Sequence, residues 1–308
     1  MLTIVILFRN AGRLTRECVG ILLDSLRGLY LHQRVELLLI DDASEPGSEV
    51  APLLLPLKEA SPFPVRILRF NSRQHYTRGL AHALSLAKGH VLFISHDMLA
   101  PRAYIRGLLQ VAALDPSYGI VRGTSTYVDL YPQYTIEPPG GIGDSQQLNN
   151  FSDYIANRFG LAADEHDILT GDSMLISRAV IDKIGTFDPA FFGYFGDIDY
   201  GLRAQRAGFK IVCAMGAWLF HEGAGYYNTE VQRTGRPMQQ VQADRMKVVS
   251  AAYLTFRQKW NLTGGPPLPP QYVSTSEVPF KALRAAPNSP PLFQPLLPEP
   301  TPDIAQWL

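Results

Sequence analysis

Four short apolar runs in the first hundred residues, interleaved with segments of helical spacing, restrict this chain to a sheet built through crossover connections. Leu2 to Phe8 is almost continuously apolar and β-branched, the pattern of a strand buried on both faces. Leu14, Cys18, Ile21, Leu22, Ser25 and Leu29 then recur at helical spacing. Val35 to Ile40 reads as a second buried strand, Val65 to Phe70 as a third and His90 to Ile94 as a fourth. The spacing predicts a helix over 77–88, with Gly89 suited to the position just past its end. Pro101 opens another, through Ile105, Leu108, Leu109 and Ala112. Such alternation implies right-handed βαβ units and a mostly parallel sheet. Ligands of these sheets gather beyond the carboxyl ends of the strands. Acidic residues stand at two of those ends, Asp41 and Asp42 after the second strand and Asp97 after the fourth.

The pattern changes further along. From about 125 to 160 it dissolves into Tyr, Pro, Gly and Asn, which predicts an irregular binding loop or lid. Gly140-Gly-Ile-Gly143 inside it joins no buried strand to a helix, so it is no dinucleotide fingerprint. Order returns over 169–177, in a short helix ending at Gly185, and in a longer helix near Val241 to Trp260. Residues 261–308 hold 12 of the 24 prolines and read as an arm laid over the core or disordered.

Balanced charge, a formal net of +0, gives no basic excess to neutralise phosphates, which argues against a nucleic-acid partner. Cys18 and Cys213 sit in apolar contexts and read as small buried hydrophobes in a reducing compartment. No charged leader or membrane-length apolar run is evident, so the expected location is cytoplasmic, with peripheral membrane contact left open.

Several constellations carry chemistry. Gly185-Thr-Phe-Asp188 precedes a glycine-rich aromatic loop, and Asp197-Ile-Asp199 follows it at the start of a short helix, with Arg203 and Gly208 beyond. A helix N-terminus favours ionised carboxylates. Two residues apart on a helix, Asp197 and Asp199 point about 200° apart, so one substrate can hardly engage both. Asp199 lies four residues before Arg203, the spacing of an ion pair. Asp197 is then the candidate general base. Asp41-Asp42-Ala43-Ser44 can accept from a nucleotide base or ribose, or can simply cap a turn. Ser95-His96-Asp97 can place one carboxylate on a hard cation, or can cap the next helix. His221, in Trp218-Leu-Phe-His221, is a further metal ligand or a structural strand-end histidine.

In order, Phe8-Arg9-Asn10, Asp-Asp-x-Ser, Ser-His-Asp, Gly-x-Phe-Asp, Asp-x-Asp and His221 resemble the motifs of family 2 glycosyltransferases, inverting enzymes of GT-A fold. The resemblance runs from about residue 2 to 260. It departs from the family at Ser95, where a first metal-site Asp is usual, and at Gly196, where a Glu is usual. The fold class it implies is α/β, the GT-A (nucleotide-diphospho-sugar transferase) fold, a mostly parallel central sheet flanked by helices, with a C-terminal helix and an extended Pro-rich tail. The implied organisation is one domain over 1–260, with a nucleotide-binding half at 1–115 and an acceptor half at 116–260, then the arm at 261–308. The resemblance implies a UDP-, GDP- or dTDP-sugar donor contacting Phe8, Arg9, Asn10, Asp41, Asp42, Ser44, Arg78, His96, Asp97 and Asp172. It implies Mn²⁺ or Mg²⁺ at Asp97 and His221, Asp197 as base, and a carbohydrate or glycolipid acceptor. A homo-oligomer through the arm stays open. Two other classes compete: a catalytically degenerate sugar-nucleotide binding protein, motivated by Ser95 and Gly196, and a nucleotidyltransferase. The latter would want a basic glycine-rich loop after the first strand, for which Asn10-Ala-Gly12-Arg13 is a poor candidate.

Overall fold

The alternation along the first strand decides how the core divides. In a computed structural model, which describes residues 1–29, 34–47, 50–223, 225–262 and 280–285, strand β1 (Leu2–Phe8) is buried throughout. Its successive side chains face opposite sides of the sheet. Ile4, Ile6 and Phe8 join one apolar cluster with Cys18, Leu22 and Leu26 of helix α1 (Gly12–Arg27). Val5 and Leu7 join the other. That two-sided burial is why the run has no polar alternation.

Strand β2 (Val35–Asp41), helix α2 (Val50–Glu59), β3 (Val65–Arg69), α3 (His75–Leu86) and β4 (His90–Ile94) complete the first half. The sheet runs β3-β2-β1-β4 here, all parallel. Leu80 and Leu84 of α3 cover the Val5 and Leu7 face. Helix α4, after the short β5 (Met98–Leu99), spans Arg102–Ala112 and presents Ile105 and Leu108 to the face of Ile4 and Ile6.

The second half comprises β6 (Tyr118–Ser125), a 3-10 turn at Pro132–Tyr134, α5 (Ser145–Phe159), β7 (Ala163–Glu165), β8 (Ser173–Ile176) and α6 (Arg178–Ile184). Helix α7 (Gly196–Arg206), β9 (Lys210–His221), α8 (Gly225–Thr234), α9 (Met238–Lys259) and α10 (Phe280–Ala285) follow. Here the sheet becomes mixed. β8 is antiparallel to both β4 and β6, β6 and β9 are parallel, and β5 and β7 are antiparallel to β9. The parallel expectation therefore holds for the first four strands and gives way beyond them. Cys18 and Cys213 are buried and unbridged.

Two local expectations are corrected, and one helix was unforeseen. The stretch 125–160 is not irregular throughout, because α5 occupies 145–159. Asp144 caps it by accepting from the Gln147 amide, and Leu148, Ser152 and Ile155 form its buried face. Gly89 is not a left-handed helix cap, since α3 ends at an extended Ala87. A Cβ at Gly89 would lie 2.0 Å from the Met1 carbonyl oxygen, so close backbone approach explains the glycine. Helix α2, containing Pro56, was not expected at all. Of the Pro-rich arm, 263–279 and 286–308 lie outside the described residues. Its described piece, α10, docks on α7, where Arg206 donates to the Leu283 carbonyl at 2.6 Å.

Strand register sets the site. Phe8 pairs with Asp41, so the carboxyl ends of β1 and β2 open side by side, with β4 adjacent. Met98 pairs with His221, which carries the end of β9 to the segment following β4.

Candidate functional site

Two adjoining cavities open over these strand ends. The smaller, about 320 Å³, is lined by Phe8, Arg9, Asp42, Arg73, His75 and His96 among others. The larger, about 520 Å³, holds Asp97, His221, Tyr127 and Tyr227, with Gln242, Met246 and Val249 of α9 as a wall. Asp129, Gly171, Asp172, Tyr194, Asp197 and Arg245 line both.

In the smaller cavity the first acidic pair divides its work. Asp41 accepts from the Ser44 amide at 2.7 Å, closing the turn after β2. Ser44 Oγ in turn accepts from the Asn10 amide at 2.9 Å, and Asn10 Oδ1 accepts from Glu45 N at 2.8 Å. These three residues shape the loop, and none but their neighbours Phe8, Arg9 and Asp42 reaches the cavity wall. Asp42 accepts from the Gln74 amide at 2.6 Å and the His75 amide at 2.9 Å, at the start of α3. Burial pushes its carboxyl above the usual range against those two hydrogen bonds. Arg9 donates to the Asp42 carbonyl at 2.9 Å and pairs with Glu45 at 3.2 Å.

In the larger cavity Asp97 and His221 form a pair. His221 Nδ1 lies 3.0 Å from the Tyr127 carbonyl, an acceptor, which makes Nδ1 the protonated nitrogen and leaves Nε2 facing Asp97 Oδ2 at 3.6 Å. Ser95 Oγ donates to Asp97 Oδ1 at 2.6 Å. Burial opposes ionisation of Asp97, but the facing His221 ring, the nearby His96 and the Ser95 hydrogen bond together outweigh it and hold the carboxyl well below the usual range. Burial lowers the His221 imidazole and Asp97 more than reverses that. The residues fit a divalent ion. Adjacent ligands of an octahedral hard cation stand about 3 Å apart, close to the observed separation, and the Tyr127 bond orients the ring as ligating histidines require. No group of three or more such ligands occurs among the described residues. An ion here would take its other ligands from substrate and water.

Asp197 lies where the cavities meet, on the first turn of α7, with Oδ1 accepting from the Ile198 amide at 3.0 Å. Burial pushes its carboxyl up to about 6, against amide hydrogen bonds that favour the charge. Asp199 points the other way, as the helical spacing predicts, and is fully buried. It pairs with Arg203 at 2.9 Å and Lys259 at 2.6 Å and accepts from Trp260 Nε1 at 3.0 Å.

The glycine at 196 has a steric cause. A Cβ there would stand 2.3 Å from Thr77 Cγ2, and Thr77 is itself tied to the Gly193 carbonyl at 2.6 Å. Gly196→Glu, which restores the usual family residue, is therefore expected to destabilise the chain by about 1–3 kcal/mol. Gly196→Glu combined with Thr77→Ser should recover part of that loss in a thermal melt. Gly171 is similarly confined, with a Cβ 1.9 Å from the Tyr76 hydroxyl and 2.9 Å from Asp197 Oδ2.

Other expected residues fall differently. Asp172 lines both cavities but is held by buried Arg122, whose Nη2 lies 3.2 and 3.0 Å from its two oxygens. Arg78 stands outside both linings, with Nε donating to the Pro189 carbonyl at 2.8 Å and its guanidinium over Phe192. Arg73 takes a place in the wall instead. Sequence reasoning missed Arg122, Asp129, Tyr194, Tyr227 and Arg245. The aromatic loop before α7 was the one available signal, for Tyr194. Left-handed non-glycine backbone concentrates here, at Asn10, Ala43, His75, Leu130 and Phe195, as strain at binding sites does.

The sequence over residues 34–246 matches the family described as Glycosyltransferase like family 2. The chain belongs to that family. Among solved structures it is similar to the Pyrobaculum calidifontis mannosyltransferase PcManGT in complex with GDP-Man and Mn²⁺, at TM-score 0.54 and 16% identity. That alignment covers 86% of this chain and 66% of the other. GalNAc-T7 with UDP, GalNAc and Mn²⁺ is similar at TM-score 0.55 and 15% identity, over 88% of this chain and 58% of that one. Residues 1–349 of S. aureus TarS with UDP are similar at TM-score 0.51 and 10% identity, over 85% and 72%. No curated protein sequence matches. This family 2 glycosyltransferase has the GT-A fold of those neighbours. No helix among its described residues is long and apolar enough to cross a membrane.

Proposed function

We propose that this glycosyltransferase moves a sugar from a nucleoside-diphosphate sugar to an acceptor hydroxyl with inversion, Asp197 being the general base. The observation that carries this reading is the position of Asp197 at the junction of the two cavities, with its carboxyl held near 6. A base with that affinity is ionised at neutral pH yet still basic enough to accept a proton in the transition state. The nucleotide occupies the smaller cavity against Phe8, Arg9, His96 and the Asp42 wall, and the carbohydrate or glycolipid acceptor the larger. Asp197 takes the hydroxyl proton as the oxygen attacks the anomeric carbon, and the diphosphate departs on the opposite side. Asp97 and His221 would hold Mn²⁺ or Mg²⁺, whose role when bound is to offset charge on the diphosphate. The presence of GDP-Man or UDP with Mn²⁺ in similar structures supports a donor and ion of this class.

The competing reading is a binding module that has lost catalysis, motivated by Gly196 and Ser95. Both departures have structural accounts that leave Asp197 and Asp97 in place. A calorimetric panel of UDP-, GDP- and dTDP-sugars, with Mn²⁺ and with EDTA, tests the proposal. One donor is expected to bind with Mn²⁺ at least about tenfold more tightly than Asp97→Asn binds it, the loss of a charge-assisted ligand. Donor binding without transfer or slow hydrolysis in the wild type, across an acceptor panel, would favour the module.

A further inference from the structure

Arg245, on α9, is the cation that lines both cavities. Its guanidinium carbon lies 5.1 Å from the Tyr194 ring centroid and 5.0 Å from that of Tyr227. Nε donates to the Tyr194 hydroxyl at 2.7 Å and Nη1 to the Tyr227 hydroxyl. The side chain is thus clamped between two rings with its fork fixed in direction, a pre-organised arrangement. Arg9 pairs with Glu45, Arg122 with Asp172 and Arg203 with Asp199. Arg245 has no carboxylate within ion-pair distance among the described residues, and its Nη2 has no hydrogen-bond partner there. A partly buried, pre-organised guanidinium without a counter-charge is built to receive an anion.

The reaction supplies one in this space. As the anomeric C–O bond breaks, its electron pair passes to the β-phosphate oxygen of the donor, while the acceptor oxygen bonds to carbon and its proton goes to Asp197. Asp97 and His221, the residues that would hold a divalent ion, face the same larger cavity as Arg245. They offer only one carboxylate, because Ser95 stands where a second would be, so a divalent ion would be held by few protein ligands. A fixed guanidinium needs no recruitment.

We propose that Arg245 is the protein's own cation for the leaving diphosphate, oriented by Tyr194 and Tyr227, and that it sustains nucleoside-diphosphate binding when the divalent ion is removed. This rests on the transfer reading above. The test is calorimetric titration of UDP, GDP and dTDP, and of the monophosphate of whichever base binds, in Mn²⁺ and in EDTA. Wild type is compared with Arg245→Gln, Arg245→Lys and Tyr227→Phe, each checked by thermal melt for folding. In EDTA, Arg245→Gln is expected to weaken diphosphate binding by about 10- to 100-fold while monophosphate affinity stays within about threefold. Arg245→Lys should fall between, since it keeps the charge and loses the fork. Tyr227→Phe should give a smaller loss of the same kind. Equal weakening of both nucleotides, or none of either, would overturn the assignment while leaving the transfer reading intact. Wild type binding none of the three diphosphates, even with Mn²⁺, would sink the transfer reading and this inference with it.

Discussion

Asp197→Asn is expected to lower kcat for sugar transfer by about 10²- to 10⁴-fold, the range for removing a positioned general base, while nucleotide affinity is kept. The amide retains an oxygen for the Ile198 N–H and occupies the same volume, so the local geometry survives. In the wild type, kcat/KM should rise with pH through about 6 and level off above it, because only the ionised carboxylate can take the proton. The variant should lose that inflection. A flat wild-type profile across that range would count against Asp197 as the base.

Stability moves the opposite way. A carboxyl with a raised folded pKa binds its proton more tightly in the folded chain than in the unfolded one. Ionising it therefore costs stability above about 6, and that cost disappears as pH falls through 6 toward the ordinary 3.8. The difference corresponds to at most about 3 kcal/mol, since Asp197 is only partly buried at the cavity wall. Asp197→Asn should consequently melt higher than wild type at pH 8 and match it near pH 4. A less active, more stable variant is the signature of a group held at an unfavourable position for its chemistry.

Asp199→Asn, two residues away, is expected to do the reverse, destabilising the fold by about 3–5 kcal/mol. Removing that charge takes a carboxylate from Arg203, whose side chain is 3% exposed and also donates to the Ile184 and Thr186 carbonyls, and from Lys259, which also pairs with Asp188 at 2.8 Å. Trp260 keeps an oxygen to donate to, but the link between α7 and the end of α9 loses its charge. Denaturant melts should show a lower midpoint with an unchanged slope. Activity per folded molecule should stay within about threefold, the spread expected when no group touching substrate has changed. A variant that melts like wild type yet is inactive would assign Asp199 to the chemistry instead.

The first half of the sheet was legible because its strands are buried on both faces and its helices on one stripe. Leu2 to Phe8 is readable from composition alone for that reason. Helix α5 was hidden because its buried face includes Ser152, whose hydroxyl donates to the Trp218 carbonyl at 2.9 Å, so the stripe is not purely apolar. At the site, Asp97 and Asp197 stood at a strand end and a helix start, positions with local signals. Asp41, Asn10 and Ser44 gave the same signals, yet they bond to one another to close a turn. Arg122 and Arg245 left no trace, because a single arginine in a strand or helix has no periodic or motif context.

What the sequence by itself determined is what one element can encode: the first four buried strands, the acidic strand ends, and the opposite directions of Asp197 and Asp199. Only the tertiary structure decided which direction was cavity and which was core. It joined Asp97 to His221 through the β5–β9 register, brought Lys259 and Trp260 to Asp199, and filled the space beside Gly196 with Thr77. Each of those contacts joins residues far apart in the chain, and their meeting depends on strand register and helix docking, which no local periodicity specifies.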